Sequence, residues 1–252
     1  MEQQSKMDMF DILPEECISQ IINLTAPRDA SRLSVVSPAF KSAADSDGVW
    51  EKFLPSEYKD IISNSDSSSL LTTCMSKKNL FQHLCDNPII INNGAVSIAL
   101  EKKSGKKCCM VGPRQLNATW GSAGDVPMYW ILPSQSDSRF AEVAKFGPMW
   151  YFEVKGGMET KLLSPKTIYG TYLVFKFHDL ERRILYKEDP PVKCGVYFEG
   201  KDDGKRHSLF LDPAGSMLRR YRDKGDGWME IEMGEFFNEN GHDGMLMFTF
   251  IS

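Results

Sequence analysis

The chain has 252 residues, 42% hydrophobic and 25% charged, which is enough apolar material for one large domain or two modest ones with a real core. No apolar run approaches the ~18 residues of a membrane span, and Met1-Glu2-Gln3-Gln4-Ser5-Lys6 lacks the basic-then-apolar pattern of a secretory signal. The net charge of −4 is uneven: residues 1–60 hold 6 Lys+Arg against 11 Asp+Glu, residues 61–252 hold 24 against 23, and neither has the basic excess of a nucleic-acid binder.

From the N-terminus the first elements read as short helices. Leu13-Pro14-Glu15-Glu16 is a helix start, because proline suits the first turn and the glutamates complement its positive end. Ile18, Ile21 and Ile22 then share one face, and Thr25-Ala26-Pro27 ends the helix. A second helix is predicted from Arg28 to about Val36, with Ala30, Leu33 and Val36 on one stripe. Ser37-Pro38 opens a third, carrying Phe40, Ala43 and Ala44, and Trp50, Phe53 and Leu54 close the unit. So small a unit has more large apolar side chains than its own core can use, so some are expected to face a partner.

The segment Ser63-Asn64-Ser65-Asp66-Ser67-Ser68-Ser69 is a polar hinge, so residues 57–87 read as a linker with a short helix. After Pro88 the pattern changes to β-branched and aromatic alternation broken by Gly, Pro and Asn, as in an antiparallel β domain. Strands are predicted at 89–91, 95–100, 107–111, 150–154, 169–177, 192–198, 208–211, 228–233 and 245–251. The segment Tyr169–Phe177 is apolar on both faces and is expected to be central. Met245–Ile251, at the end of the chain, is expected to form an exposed apolar edge. Trp150 and Trp228 read as core, and the basic group Arg219, Arg220, Arg222 and Lys224 as a solvated loop.

The six cysteines have no disulfide-like spacing and are expected to stay free thiols. With the four histidines they form no zinc pattern, so neither metal nor cofactor is expected. No nucleophile elbow, P-loop or dinucleotide fingerprint occurs, and no catalytic role is predicted.

Leu13-Pro14, the isoleucine pair, Leu33-x-x-Val36, Ser37, Phe40 and Trp50 resemble the F-box in order and spacing. That resemblance implies docking on a Skp-type adaptor, and through it on a cullin ligase. Its anchors match Leu13, Pro14, Ile18, Ile21, Leu33, Val36, Phe40 and Trp50. The stretches Arg114–Gly121, Tyr129-Trp130, Arg139–Ala144, Leu163–Thr167, Tyr172–Phe177 and Asp226–Phe237 resemble the plant phloem-lectin, or Nictaba-like, family. This implies a carbohydrate-binding domain for N-acetylglucosamine oligomers or N-glycans, with Trp120 and Trp130 as the sugar platform and Asn117, Thr119 and Tyr129 as polar neighbours. An indole face attracts the polarised C–H face of a pyranose, and neighbouring polar groups select its hydroxyls. Two departures stand out. The two tryptophans are 10 positions apart, wider than in the family, and Met245 and Ser252 stand where relatives carry acids.

The expected architecture is multi-domain α + β: a three-helix F-box at 1–56, the linker at 57–87, and a jelly-roll-like antiparallel β-sandwich at 88–252. The expected function is the substrate-recognition subunit of a ubiquitin ligase that recruits glycoproteins in the cytoplasm or nucleus, with no membrane or nucleic-acid partner. Two alternatives stay open: a degenerate lectin scaffold that binds unglycosylated proteins, and a cytosolic lectin with no ligase role.

Overall fold

The computed structural model describes residues 13–63, 75–119, 129–133, 137–146, 153–176, 192–201, 206–209, 222–223, 227–241 and 244–251. It divides into two compact units, Met1–Met110 and Val111–Ser252.

The first unit has six described helices: α1 (Glu15–Ile22), α2 (Pro27–Leu33), α3 (Pro38–Asp45), α4 (Asp47–Phe53), α5 (Tyr58–Ser63) and α6 (Lys77–Asp86). Their starts follow the local chemistry. Pro14 precedes α1, whose first turn holds Glu15 and Glu16. The Ser37 hydroxyl accepts from the Phe40 backbone N–H at 3.3 Å ahead of Pro38, and Ser76 does the same for Asn79 at 3.2 Å. α2 stops at Leu33, three residues short of the predicted end, and Val35 and Val36 follow on a turn.

Ile18, Ile22, Ala30, Phe40, Ala43, Val49 and Trp50 are buried in this unit. The Trp50 indole N–H donates to the Ala44 carbonyl at 2.6 Å, and its ring meets Phe53 at 5.6 Å and Phe81 at 5.2 Å. Phe81 belongs to α6, which also buries Leu80 and Leu84. Two of the six helices thus come from the stretch read as linker; of that stretch, residues 64–69 of the polar hinge lie outside the described residues.

The change of pattern at residue 88 does not coincide with the change of packing. Strands β1 (Ile89–Ile91), β2 (Val96–Leu100) and β3 (Lys107–Val111) form an antiparallel sheet in that order, with β1 against α5 and β2 against α6. Gly105 turns β2 into β3 at φ +73°, close under the helices. A Cβ there would lie 3.1 Å from the Phe53 carbonyl oxygen and 3.3 Å from Pro27 Cγ. On β3, Lys107 is buried and its ammonium pairs with the Glu57 carboxylate. Burial pushes the Glu57 carboxyl up, but the hydrogen bonds from Lys107, its own backbone and Ser56 outweigh this and hold it below the ordinary range.

The second unit contains β4 (Leu116–Thr119), β5 (Tyr129–Pro133), β6 (Glu142–Phe146), β7 (Glu153–Glu159), β8 (Thr167–Phe175), β9 (Val192–Phe198), β10 (His207–Leu209), β11 (Arg222–Asp223), β12 (Met229–Asn238) and β13 (Met245–Ile251). One sheet has the order β10-β9-β13-β7-β4, a second β11-β12-β8, and β5-β6 is a ribbon. The described pairings are antiparallel, so the expected mixed α + β class with antiparallel sheets is borne out. The two larger sheets share a core of Val192, Cys194, Ile231, Met233 and Phe250, packed by Val154, Leu173, Phe175, Val196 and Phe248.

Two strand positions differ from expectation. β13, expected to be an exposed edge, is the middle strand of the five-stranded sheet, paired with β9 on one side and β7 on the other. Its Phe248 ring lies over Gly156, where a Cβ would come within 2.1 Å of the ring. β8, expected to be central, ends its sheet among the described residues, and Ile168, Gly170 and Tyr172 point outward. An apolar pattern on both faces of a strand does not require that both faces be buried. Arg222 of the basic group read as loop lies, with Asp223, on the strand β11. Trp150 lies outside the described residues.

Because the Glu57 carboxyl is held low in the fold, its contribution is present above its unfolded value and disappears as pH falls through its folded value. Glu57→Gln should cost about 1–2 kcal/mol near neutral pH, less than a fully buried pair because the carboxylate is partly solvated. Denaturant unfolding of both forms across an acid series should show the gap closing as pH drops. A gap constant down to strongly acidic pH would exclude the pair as its cause.

Candidate functional site

The residues expected to meet an adaptor divide in two. Ile18, Phe40 and Trp50 are buried and make up the interior of the helical unit, so they cannot touch a partner without opening it. Pro14, Ile21 and Val36 are exposed, and Leu13 and Leu33 are half-buried. Two residues outside the predicted stripe join the exposed set: Leu24, 89% exposed, and Val35, 85% exposed. They sit on the turns that end α1 and α2, where the Leu24 N–H donates to the Ile21 carbonyl and the Val36 N–H to that of Leu33. Helical periodicity does not reach past a helix end; the consecutive pair Val35-Val36 between two serines was the available signal.

In the second unit, Asn117 is exposed on β4, where the register sets it opposite Lys155 of β7 and Thr119 opposite Glu153. Lys155 and Glu153 form an ion pair at 2.9 Å. Lys155 in turn lies opposite Thr249 of β13, whose hydroxyl is buried with no hydrogen-bond partner among the described residues. This polar row was missed from the sequence because its members come from three strands that only pairing makes neighbours. Tyr129 and Trp130 belong to β5, opposite Phe146 and Lys145 of β6. Trp120 and the side chains of Thr119, Tyr129 and Trp130 lie outside the described residues.

One clamp ties β4's approach to the β5-β6 ribbon. Arg114, on the 3-10 turn Pro113–Gln115, donates through Nε and Nη2 to the two Glu142 carboxylate oxygens, both at 2.7 Å. The guanidinium holds the Glu142 carboxyl below its ordinary range, and the carboxylate raises Arg114. Beside it, the Phe140 ring packs on Gly112, where a Cβ would lie 3.0 Å from Cδ1. The clamp thus joins the segments that carry Asn117 and Trp130.

Trp228, read as core, is half-buried beside Lys176, whose ammonium lies 5.9 Å from the indole centroid. Lys176 also donates to Asp137 at 2.6 Å, and this bond holds the Asp137 carboxyl low, with Trp228 contributing. No group of three or more His, Cys, Asp or Glu residues suited to a metal occurs among the described residues.

The chain thus joins a helical unit with exposed apolar side chains to antiparallel sheets that carry a polar strand row. Residues 10–52 match the F-box domain and residues 106–251 match phloem protein 2. F-box protein At2g02240 of Arabidopsis thaliana is 43% identical over 241 residues, covering 93% of this chain and 72% of that protein. F-box protein PP2-B10 of the same plant is 38% identical over 241 residues, covering 94% and 84%. The chain belongs to the family of F-box proteins that carry a phloem protein 2 domain.

Arg114→Ala should release the ribbon without disturbing the sandwich. Hydrogen exchange should speed up for the β5 amides that bond across to β6, while the β12 amides that bond to β8 stay as protected as before. Equal exchange in the ribbon would mean that the clamp does not hold it.

Proposed function

We propose that this chain is the non-catalytic substrate-recognition subunit of a Skp-cullin-F-box ubiquitin ligase. In this reading the helical unit docks a Skp-type adaptor, and the phloem protein 2 domain recruits glycoproteins through N-acetylglucosamine or N-glycans. Ubiquitin transfer belongs to the partners, and the complex works in the cytoplasm or nucleus.

The observation that carries the adaptor reading is the solvent-facing apolar set within the F-box range: Ile21, Leu24, Val35 and Val36. Each large apolar side chain buried at an interface is worth ~1.5–3 kcal/mol, so four support tight docking. Pro14 and the half-buried Leu13 and Leu33 border the set. Glycan binding is supported by the exposed Asn117 with Lys155 and Glu153 beside it in register, a row of donors and acceptors suited to sugar hydroxyls. Trp120 and Trp130 are proposed as the stacking platform, with Thr119 and Tyr129 as neighbours. Glu153 offers a carboxylate where Met245 and Ser252 cannot.

Two measurements test these halves separately. Leu24→Asp/Val36→Asp should weaken capture of a purified Skp-type adaptor by on the order of a hundredfold, with the helical signal retained. Undiminished capture would sink the adaptor surface. Tryptophan fluorescence of the full chain, titrated with N-acetylglucosamine oligomers, should change saturably in the wild type and not in Trp120→Ala. A flat titration of folded protein would transfer client recognition to unglycosylated proteins.

A further inference from the structure

The large apolar side chains exposed on the described residues form two sets. Four, Ile21, Leu24, Val35 and Val36, lie at or just past the ends of α1 and α2; the other three, Ile168, Tyr172 and Phe237, lie on the β11-β12-β8 sheet at 42–69% exposure. The register sets Phe237 opposite Ile168, Glu235 opposite Gly170 and Glu232 opposite Tyr172. Leu173 and Phe175 of β8 and Ile231 and Met233 of β12 pack into the core on the other side. All six residues therefore share one outward face.

Two local features build that face. The register shifts between Glu232 and Gly234, and Gly234 at φ +146° lets the strand resume with Glu235 and Phe237 outward, like Glu232 before the bulge. On β8 the Tyr172 ring folds back along the strand over Gly170, where a Cβ would lie 3.0 Å from Cε2 and 3.2 Å from the phenol oxygen. The ring fills the space of the missing side chain and stays 42% exposed. Glu232 and Glu235 are exposed and form no ion pair among the described residues.

An apolar strip interleaved with carboxylates that form no ion pair among the described residues complements one chemistry above others. Lys and Arg carry aliphatic stems that can lie along Ile168 and Phe237, and cationic heads that can reach Glu232 and Glu235 or sit over the Tyr172 ring. We infer that this outer face docks a basic polypeptide segment in which Lys or Arg alternates with apolar residues, and that it is the surface that contacts the polypeptide of a client. As a statement about a client this rests on the receptor reading above; as a statement about binding it stands by itself.

The test uses the full chain as bait for a displayed library of random dodecapeptides, followed by fluorescence-anisotropy titration of the selected peptides. Basic peptides with interleaved apolar residues should be enriched. Glu232→Lys/Glu235→Lys should weaken them at least about tenfold, and the near-isosteric Glu232→Gln/Glu235→Gln should weaken them in the same direction. Phe237→Ser should also weaken them, while adaptor capture stays unchanged in all three variants. Enrichment of non-basic peptides, or equal affinity for the charge variants, would overturn the inference. So would N-acetylglucosamine oligomers whose binding is lost in Tyr172→Ala, or a dimer of the chain that Ile168→Asp dissolves. Loss of adaptor binding to the wild-type chain with peptide binding intact would remove the receptor reading and leave the docking face standing.

Discussion

The Trp50 indole, held by its N–H on the Ala44 carbonyl and packed between Phe53 and Phe81, is the contact on which the helical unit depends. Helices of seven to ten residues are too short to be stable alone, so their order must come from side chains shared between them. Trp50 supplies this for α3, α4 and α6 together. With Ile18, Ile22 and Phe40 it takes the large anchors inward. The apolar side chains on the turns after α1 and α2 are then left outside. The same core that stabilises the unit thereby determines which residues a partner can reach.

The sandwich depends on a comparable constraint, a middle strand with neighbours on both sides. β13 can be apolar along its length because β9 and β7 satisfy its backbone and its side chains are sheltered. Phe248 needs the bare backbone of Gly156 beneath it, so the pairing of β13 with β7 depends on a glycine as much as on a phenylalanine. β8 has the opposite problem. Its inner residues complete the core with those of β12, while its outer row of Ile168 and Tyr172 meets solvent. The two exposed apolar sets arise in the same way, from residues that the packing leaves uncovered.

Much of the helical unit could be read directly. Pro14-Glu15-Glu16 and Ser37-Pro38 mark helix starts by capping chemistry that acts within a few residues, and the structure has both. Leu24 and Val35 escaped because they lie beyond the helix ends, where no periodicity applies. The segment from 57 to 87 looked like a linker because its polar hinge dominates the pattern, although Tyr58, Leu80 and Phe81 are buried. Of the proposed sugar contacts, Asn117 was legible from its motif. The Lys155, Glu153 and Thr249 row beside it was not, because cross-strand register joins it.

The two-part organisation, the family and the helix starts follow from the residues alone, because they rest on short-range chemistry and on motifs of contiguous residues. Which anchors are core and which are surface depends on how the helices pack. The tertiary structure also decides that the ribbon of β1 to β3 packs with the helices, that β13 is central and that β8 carries an exposed row. Those outcomes depend on which strands and helices become neighbours. An apolar residue has the same local preference whether the surface that covers it is its own core or a partner.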